Sequence, residues 1–159
     1  MVKNILLIRH CQASPDSPTN SDFDRPLTAH GLKQAEILGQ HIGGLELNLD
    51  AIYMSPSRRT LQTTKGIIDQ LDYEPRLMDA EEIYEATDNV LRAVVHRFDP
   101  NFDQVALVAH NPAISLLANY LSEDFRQFTP GAMSWLSFEV DDWAALGRGT
   151  GVNKDFFST

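Results

Sequence analysis

The chain has one cysteine, Cys11, among its 159 residues. A single cysteine excludes an intrachain disulfide, which agrees with a reducing compartment. Long apolar runs are also missing. The run from Ile5 to Ile8 is followed at once by Arg9, and no run approaches the ~20 residues of a membrane-spanning helix. We therefore expect a cytoplasmic protein without a signal peptide or a membrane segment.

Basic residues are scarce. Lys and Arg number 13 against 22 Asp and Glu, which gives a formal net charge of −9. A body this acidic repels nucleic acid and anionic membranes, so neither is expected as a partner. An anionic substrate would need a local cluster of positive side chains. Apolar residues make up 43% of the chain, and the length predicts one domain with one core over residues 1–159.

Strand-like and helix-like segments alternate along the sequence. Apolar runs predict strands over 2–8, 50–54, 76–78, 104–109 and 133–140, the last of them more exposed, with an edge strand after Gly147. Helical spacing predicts helices from Thr28 to Gly43, over 58–71 with Leu61, Thr64, Ile68 and Leu71 on one apolar face, after Thr87, and from Pro112. This alternation predicts an α/β fold, a three-layer α/β/α sandwich with a mostly parallel central sheet.

Two histidines follow two of the predicted strands. His10, beside Arg9, ends the first apolar run, and His110 ends the run of 105–109. In proteins with a parallel sheet, ligands bind at the edge formed by the carboxyl ends of the strands. The two histidines should therefore meet at that edge. Two motifs between them add Arg25 and Arg59. A histidine pair surrounded by arginines indicates an anion site.

These residue types fit phosphoryl transfer. A histidine such as His10 can attack phosphorus through a ring nitrogen and form a phosphohistidine. Arg9, Arg25 and Arg59 can hold the phosphoryl oxygens with forked contacts, and His110 can donate to another oxygen. Because this cluster supplies the positive charge that the reaction needs, we expect no metal and no cofactor.

The motifs resemble those of the histidine phosphatase superfamily, the phosphoglycerate-mutase-like proteins. The family's Arg-His-Gly, Ser-Pro-x-x-Arg and Val-Gly-His-Asn motifs read here Arg9-His10-Cys11, Ser55-Pro56-Ser57-Arg58-Arg59 and Val108-Ala109-His110-Asn111. Residues 22–31 follow the Asp-x-x-Arg-Pro-Leu-Thr-x-x-Gly pattern of the short SixA-type phosphohistidine phosphatase branch. The resemblance implies a phosphoglycerate-mutase-like fold with four catalytic residues, which are Arg9, His10, Arg59 and His110.

Further roles follow from the resemblance. Arg25 and Asn111 are expected to bind phosphate or substrate. The superfamily takes a proton donor from the region that is an acidic turn here, and Glu82 is the candidate, with Glu81 and Glu85 as alternatives. From Arg59 to His110 is 110 − 59 = 51 positions. That spacing lacks the long insertion that forms a lid in the mutases, so we expect an open site.

Three functions stay open on the sequence. The preferred one is a metal-independent phosphatase that removes phosphate from phosphohistidine on a partner protein. The second is a phosphatase for a small phosphomonoester. The third is a non-catalytic module that binds phosphorylated partners, although a binder needs no nucleophile such as His10.

Cysteine and metal chemistry are less favoured interpretations. Cys11 is not expected to be the nucleophile, because adjacent residues of an extended segment point to opposite sides and no Cys-x5-Arg loop follows. Packing is the better interpretation of this residue. His30, His41 and His96 have no partner at metal-ligand spacing.

Overall fold

Six strands and four helices alternate along most of the chain in a computed structural model that describes all residues, 1–159. The strands are β1 (Lys3–Arg9), β2 (Ala51–Met54), β3 (Arg76–Asp79), β4 (Gln104–Ala109), β5 (Met133–Phe138) and β6 (Val152–Phe157). The helices are α1 (Ala29–Gly43), α2 (Arg58–Ile68), α3 (Asp88–His96) and α4 (Ala113–Ser122). Short 3-10 turns cover Asp22–Asp24, Glu81–Ile83 and Trp143–Ala145.

The strands form one mixed sheet in the order β3-β2-β4-β1-β5-β6. Neighbours from β3 to β1 are parallel, whereas β5 and β6 join antiparallel at one side. The four residues Ile5 to Ile8 of the central β1 are fully buried, as expected for a parallel strand covered on both faces. The mostly parallel sheet is therefore confirmed.

Helices cover both faces of the sheet. Successive side chains of a strand point to opposite faces. Leu7 of β1 accordingly belongs to the buried cluster that contains Leu117 of α4. Its neighbour Leu6 belongs to the cluster that contains Leu38 of α1. Helices α3 and α4 thus lie on one face and α1 and α2 on the other, which confirms the three-layer α/β/α sandwich.

Local signals set the start of two helices. The side chain of Thr28 caps α1 by accepting a hydrogen bond from the Gly31 N–H at 2.9 Å. The side chain of Thr87 caps α3 in the same way, from Val90 N–H at 3.3 Å. The Thr28 N-cap and a helix start after Thr87 were expected from the sequence, and a threonine hydroxyl at the N-cap satisfies a free backbone N–H.

The buried face of α2 differs from the prediction. Leu61, expected to be buried, is 43% exposed. Thr64 of the predicted face is buried, and the other buried residues are Arg59, Thr60, Thr63 and Ile67. This face is polar because its hydroxyls satisfy the loops at the strand ends. Thr60 Oγ1 donates to the Ser55 carbonyl at 2.6 Å, and Thr63 Oγ1 accepts from the Cys11 N–H at 3.0 Å.

Strand β5 is also more buried than predicted. Met133, Leu136 and Phe138 are at most 1% exposed, because β5 pairs with β1 on one side and with β6 on the other. The expected strand after Gly147 is β6, which lies at the edge of the sheet.

The segment between α2 and β4 contains only β3, the Glu81–Ile83 turn and α3, so it holds no large lid insertion. None of the helices combines the length and the apolarity needed to cross a membrane.

Candidate active site

The two histidines meet at the carboxyl edge of neighbouring parallel strands. Arg9 of β1 is paired in register with Ala109 of β4. His10 then donates its backbone N–H to the Ala109 carbonyl at 3.1 Å. The centroids of the His10 and His110 rings are 5.1 Å apart, with 60° between the ring planes. Strand pairing alone therefore brings together two residues that are 100 positions apart, as the sequence predicted.

His10 is held in one tautomer. Its Nδ1 lies 2.7 Å from the Cys11 carbonyl oxygen. A carbonyl oxygen only accepts, so Nδ1 carries the proton and Nε2 of the neutral ring keeps a free lone pair. The pKa of His10 is lowered to about 4, mainly by burial and to a smaller extent by the positive charges of Arg59 and Arg9. The ring is thus neutral at neutral pH and can act as a nucleophile through Nε2.

His110 has no hydrogen-bond partner. Both of its ring nitrogens are buried and unpaired. The pKa of His110 is lowered to about 3, mainly by burial and to a smaller extent by the charges of His10 and Arg59. A neutral imidazole offers one donor and one acceptor, and leaving both unpaired in a buried site is costly. The arrangement fits a ring whose partner is a bound ligand.

Three arginines surround the histidines. Arg9 donates from Nη1 to the Phe128 carbonyl at 2.9 Å, while its Nε is buried and unpaired. Arg59 is 6% exposed, and both of its Nη atoms donate hydrogen bonds to Asp22. Its Nε is also buried and has no hydrogen-bond partner. Arg25 Nε is buried and lies 3.2 Å from the Asp22 carboxylate without hydrogen-bond geometry. Arg9 and Arg59 therefore each keep a buried Nε free for an anion, whereas Arg25 Nε is ion-paired with Asp22.

One cleft of about 400 Å³ gathers these side chains. Its lining residues are Arg9, His10, Arg25, Arg59, Tyr84, Glu85, Ala86, His110, Asn111 and Pro112. Every predicted site residue except Glu82 is in this set. The N-termini of α2 and α4, at Arg58 and Ala113, follow the strands β2 and β4 at the same edge. Helix N-termini at such an edge favour negative charge.

Asn111 lies in the cleft with its amide already engaged. Its Nδ2 donates to the Phe128 carbonyl at 3.0 Å, and its Oδ1 accepts from Ser115 Oγ at 2.6 Å. The same Phe128 oxygen accepts the hydrogen bond from Arg9. Asn111 therefore helps to fix the carbonyl that orients Arg9, and one amide hydrogen is left for a ligand. Direct binding of substrate by Asn111 stays a prediction.

Glu82 requires a correction, because the structure does not bring it into the cleft. Its Oε1 accepts from Arg97 Nη2 at 2.9 Å, and both side chains are about half exposed or more. The neighbouring Ile83 is fully buried and anchors the Glu81–Ile83 turn. Glu85 lines the cleft instead, in a left-handed backbone conformation with φ of 59°. The sequence had kept Glu85 as an alternative proton donor.

Two residues of the site were missed by the sequence analysis. Tyr84 Oη donates to Asp22 Oδ2 at 2.6 Å, and the Tyr84 ring meets the His110 ring edge-on at 5.9 Å between centroids. Asp22 opens the Asp-x-x-Arg segment, which was the only signal available for it. No signal in the sequence pointed to Tyr84, because it lies 62 positions from Asp22.

Cys11 is a packing residue, as expected. It is fully buried in a small cluster with Leu27 and Ala35. Burial raises the pKa of its thiol to about 12, so the reactive thiolate is not formed at neutral pH. His41 lies apart from the cleft, with Nε2 at 2.6 Å from Asp155 Oδ2. No group of three or more His, Cys, Asp or Glu side chains is arranged to hold a metal ion.

Comparison with known proteins gives the same picture. The family model of the histidine phosphatase superfamily (branch 1) matches residues 5–85. A serine/threonine-protein phosphatase, PGAM5, mitochondrial, of Xenopus tropicalis is 38% identical over 65 residues. The match covers 41% of this chain and 23% of that relative, so it spans less than a quarter of the relative's length.

Solved structures share the fold over nearly the whole chain. A SixA protein from Nakamurella multipartitia has a TM-score of 0.89 and 22% identity, over 99% of this chain and 96% of its own. The protein histidine phosphatase SixA, solved with tungstate, has a TM-score of 0.77 and 22% identity, over 98% of this chain and 96% of its own. The matched family model covers the two motifs that carry His10 and Arg59. The chain belongs to the histidine phosphatase superfamily.

Proposed function

We propose that the protein is a phosphatase that works through a phosphohistidine intermediate on His10 and removes phosphate from phosphohistidine on a partner protein. One observation carries the proposal. Arg9, Arg59 and His110 each present a buried nitrogen without a partner, and together with Arg25 they line the cleft that holds His10. Buried polar groups are normally paired, so this set is matched to a ligand with several anionic oxygens.

The reaction has two steps. His10 Nε2 attacks phosphorus, a P–N bond forms, and the bond from phosphorus to the leaving group breaks with its electron pair leaving on that group. A water molecule then attacks the phosphohistidine, the P–N bond breaks, and inorganic phosphate leaves while His10 regains its lone pair. The arginines and His110 stabilise the charge on the phosphoryl oxygens in both transition states.

The leaving group decides between the substrates. An alkoxide that leaves a phosphate monoester is a strong base and needs a proton. Phosphohistidine protonated on its other nitrogen releases neutral imidazole, whose conjugate acid has a pKa of about 6.5, so little acid help is needed. The one carboxylate in this cleft, Glu85, is exposed. A cleft with no lid and only an exposed acid suits cleavage of a P–N bond on a protein surface.

Three further observations bear on the substrate. The similar fold of a protein histidine phosphatase that was solved with tungstate, a phosphate analogue, supports the preferred substrate. Glu85 in the cleft favours a second candidate, a phosphomonoester phosphatase in which Glu85 protonates the leaving oxygen. The partial match to a serine/threonine-protein phosphatase makes a phosphoserine protein a further substrate to compare.

A substrate panel tests the proposal. The protein is incubated with a phosphohistidine protein, a phosphoserine protein, a sugar phosphate and p-nitrophenyl phosphate, and released phosphate is measured for each. We expect the highest kcat/KM on the phosphohistidine protein. A higher kcat/KM on an alkyl phosphate would favour the second candidate. Binding of phosphoproteins without any phosphate release would instead favour the non-catalytic module.

A further inference from the structure

We propose that Asp22 is a positioning residue, whose carboxylate holds Arg59, Arg25 and Tyr84 in the arrangement that receives the phosphoryl group. The inference rests on the proposed function and extends it to a residue without a catalytic role of its own. Asp22 belongs to the 3-10 turn Asp22–Asp24, in the loop between β1 and α1.

Asp22 joins three separate parts of the chain. Its Oδ2 accepts from Arg59 Nη2 of α2 at 3.0 Å and from Tyr84 Oη, in the loop before α3, at 2.6 Å. Its Oδ1 lies 3.2 Å from Arg25 Nε. Phe23, the next residue, packs edge-on against the Tyr84 ring with centroids 5.2 Å apart. The turn is therefore fixed to the wall of the cleft at two neighbouring positions.

Asp22 also determines which donors of Arg59 are free. The Asp22 carbonyl accepts from Nη1 at 2.7 Å and its carboxylate from Nη2 at 3.0 Å. Both Nη atoms are thus bound by one residue, while Nε is buried and unpaired. A guanidinium has five donors in a rigid plane, so binding both Nη atoms orients Nε and the remaining hydrogens. An oxyanion in the cleft can take those.

The carboxylate contacts the arginines from outside the cleft. Asp22 is not among the residues that line the His10 cleft. It lines an adjacent cavity together with Asp16, Ser17 and Asn20. A carboxylate that competed with substrate would have to lie where the phosphoryl group binds. This location indicates a support for the arginines rather than a competitor.

Charge balance gives the same result. Arg59 and Arg25 are brought together on one carboxylate, which offsets the repulsion between two cations. The hydrogen bond from Tyr84 lowers the pKa of Asp22, and Arg59 lowers it further. Asp22 is therefore ionised throughout the neutral range and keeps both contacts.

The test compares Asp22→Asn with Asp24→Asn. The control removes the same charge two positions away, from a side chain that accepts a hydrogen bond from Thr19 and does not line the cleft. We expect Asp22→Asn to lower kcat/KM on p-nitrophenyl phosphate about 10- to 100-fold, mostly through kcat, because orientation matters most in the transition state. Binding of vanadate should weaken by a similar factor, whereas Asp24→Asn should match the wild type.

Tyr84→Phe supplies a second variant that removes one hydroxyl and keeps the ring. We expect a loss of about 2- to 10-fold in kcat/KM, and the double variant should lose little more than Asp22→Asn alone, because both changes act on one network. Melting temperatures separate this effect from unfolding. If Asp22→Asn does not fold, Tyr84→Phe with wild-type kcat and vanadate affinity overturns the proposal.

Other outcomes are equally decisive. Wild-type kcat/KM and vanadate affinity in a folded Asp22→Asn would overturn the positioning role, and tighter vanadate binding would identify Asp22 as a competitor instead. Absence of phosphate release from every substrate by the wild type would refute the proposed function alone. The role of Asp22 would then be decided by calorimetric binding of vanadate to the same variants.

Discussion

The His10 and His110 rings lie 5.1 Å apart at the ends of two adjacent parallel strands, and the two rings differ in their hydrogen bonds. His10 is fixed through Nδ1 by the Cys11 carbonyl. His110 has no partner on either nitrogen. One ring is thus set in the tautomer that exposes a lone pair, and the other is left to bind a ligand.

Replacement of His10 should remove the chemistry and keep the fold. We expect His10→Ala to release no phosphate above background, because it removes the ring whose Nε2 lone pair attacks phosphorus. The melting temperature should stay close to that of the wild type. Wild-type enzyme quenched in alkaline denaturant should carry acid-labile phosphate that His10→Ala lacks. Turnover at the wild-type rate by a folded His10→Ala would end the assignment.

The free energy of unfolding should decrease in acid because of the lowered pKa values of His10 and His110. Burial lowers the pKa of His10 to about 4 and of His110 to about 3, from 6.5. Between about pH 3 and 6.5 the unfolded chain therefore binds more protons at these sites than the folded protein does. Their contribution to the free energy of unfolding is fully present above pH 6.5 and decreases as pH falls through that window. Urea unfolding at several pH values measures the slope, which His110→Asn should flatten.

Arg25 and Arg58 form a matched pair of arginines inside and outside the cleft. We expect Arg25→Ala to lower kcat/KM about 10- to 1000-fold, in line with the loss of a charge-assisted contact to the phosphoryl group. Arg58 is exposed and does not line the cleft, so Arg58→Ala should keep the wild-type kcat/KM. Equal activity of the two variants would make Arg25 a surface residue.

Substitution of Glu85 and of Glu82 shows which of these two carboxyl groups is the proton donor. Glu85→Gln should strongly reduce hydrolysis of an alkyl phosphate and have little effect on phosphohistidine, because only the alkoxide needs a proton. Glu82 binds Arg97 outside the cleft, so Glu82→Gln should leave both reactions unchanged. A large loss with Glu82→Gln on either substrate would contradict the geometry.

Activity should not require a metal. The three arginines supply positive charge at the phosphoryl oxygens, which is the contribution that a divalent cation makes in other phosphatases, and neutral His110 adds a hydrogen-bond donor. Phosphate release should persist in EDTA, and vanadate should inhibit, because it imitates five-coordinate phosphorus. Loss of activity on chelation, with recovery on adding a divalent cation, would refute this prediction.

The amino-acid sequence by itself determined where the strands lie and that His10 and His110 meet at the ends of two of them. Continuous apolar runs identify buried parallel strands, and parallel strands place the residues that follow them at one edge. The N-caps of α1 and α3 are local as well, since Thr28 and Thr87 bond backbone groups three positions away. The resemblance to family motifs then implied that Arg25 and Arg59 belong to the same site.

Only the tertiary structure decided which side chains of the loops reach the cleft. In the acidic turn, burial of Ile83 turns Glu82 outward to Arg97, while Glu85 enters the cleft. The sequence pattern of the turn is the same for either outcome. The buried face of α2 was likewise set by backbone groups at the strand ends that its threonines bind, namely the Ser55 carbonyl and the Cys11 N–H, which apolar spacing does not reveal.

The contact between Asp22 and Tyr84 was likewise decided by the tertiary structure. They are 62 positions apart and meet at 2.6 Å because two loops from different layers converge on one edge of the sheet. Gly31 is comparable: a Cβ there would overlap the Gln12 carbonyl of the preceding loop, so the packing of that loop on α1 explains the glycine. Local patterns determine elements and their ends, whereas contacts between loops exist only after the elements have packed.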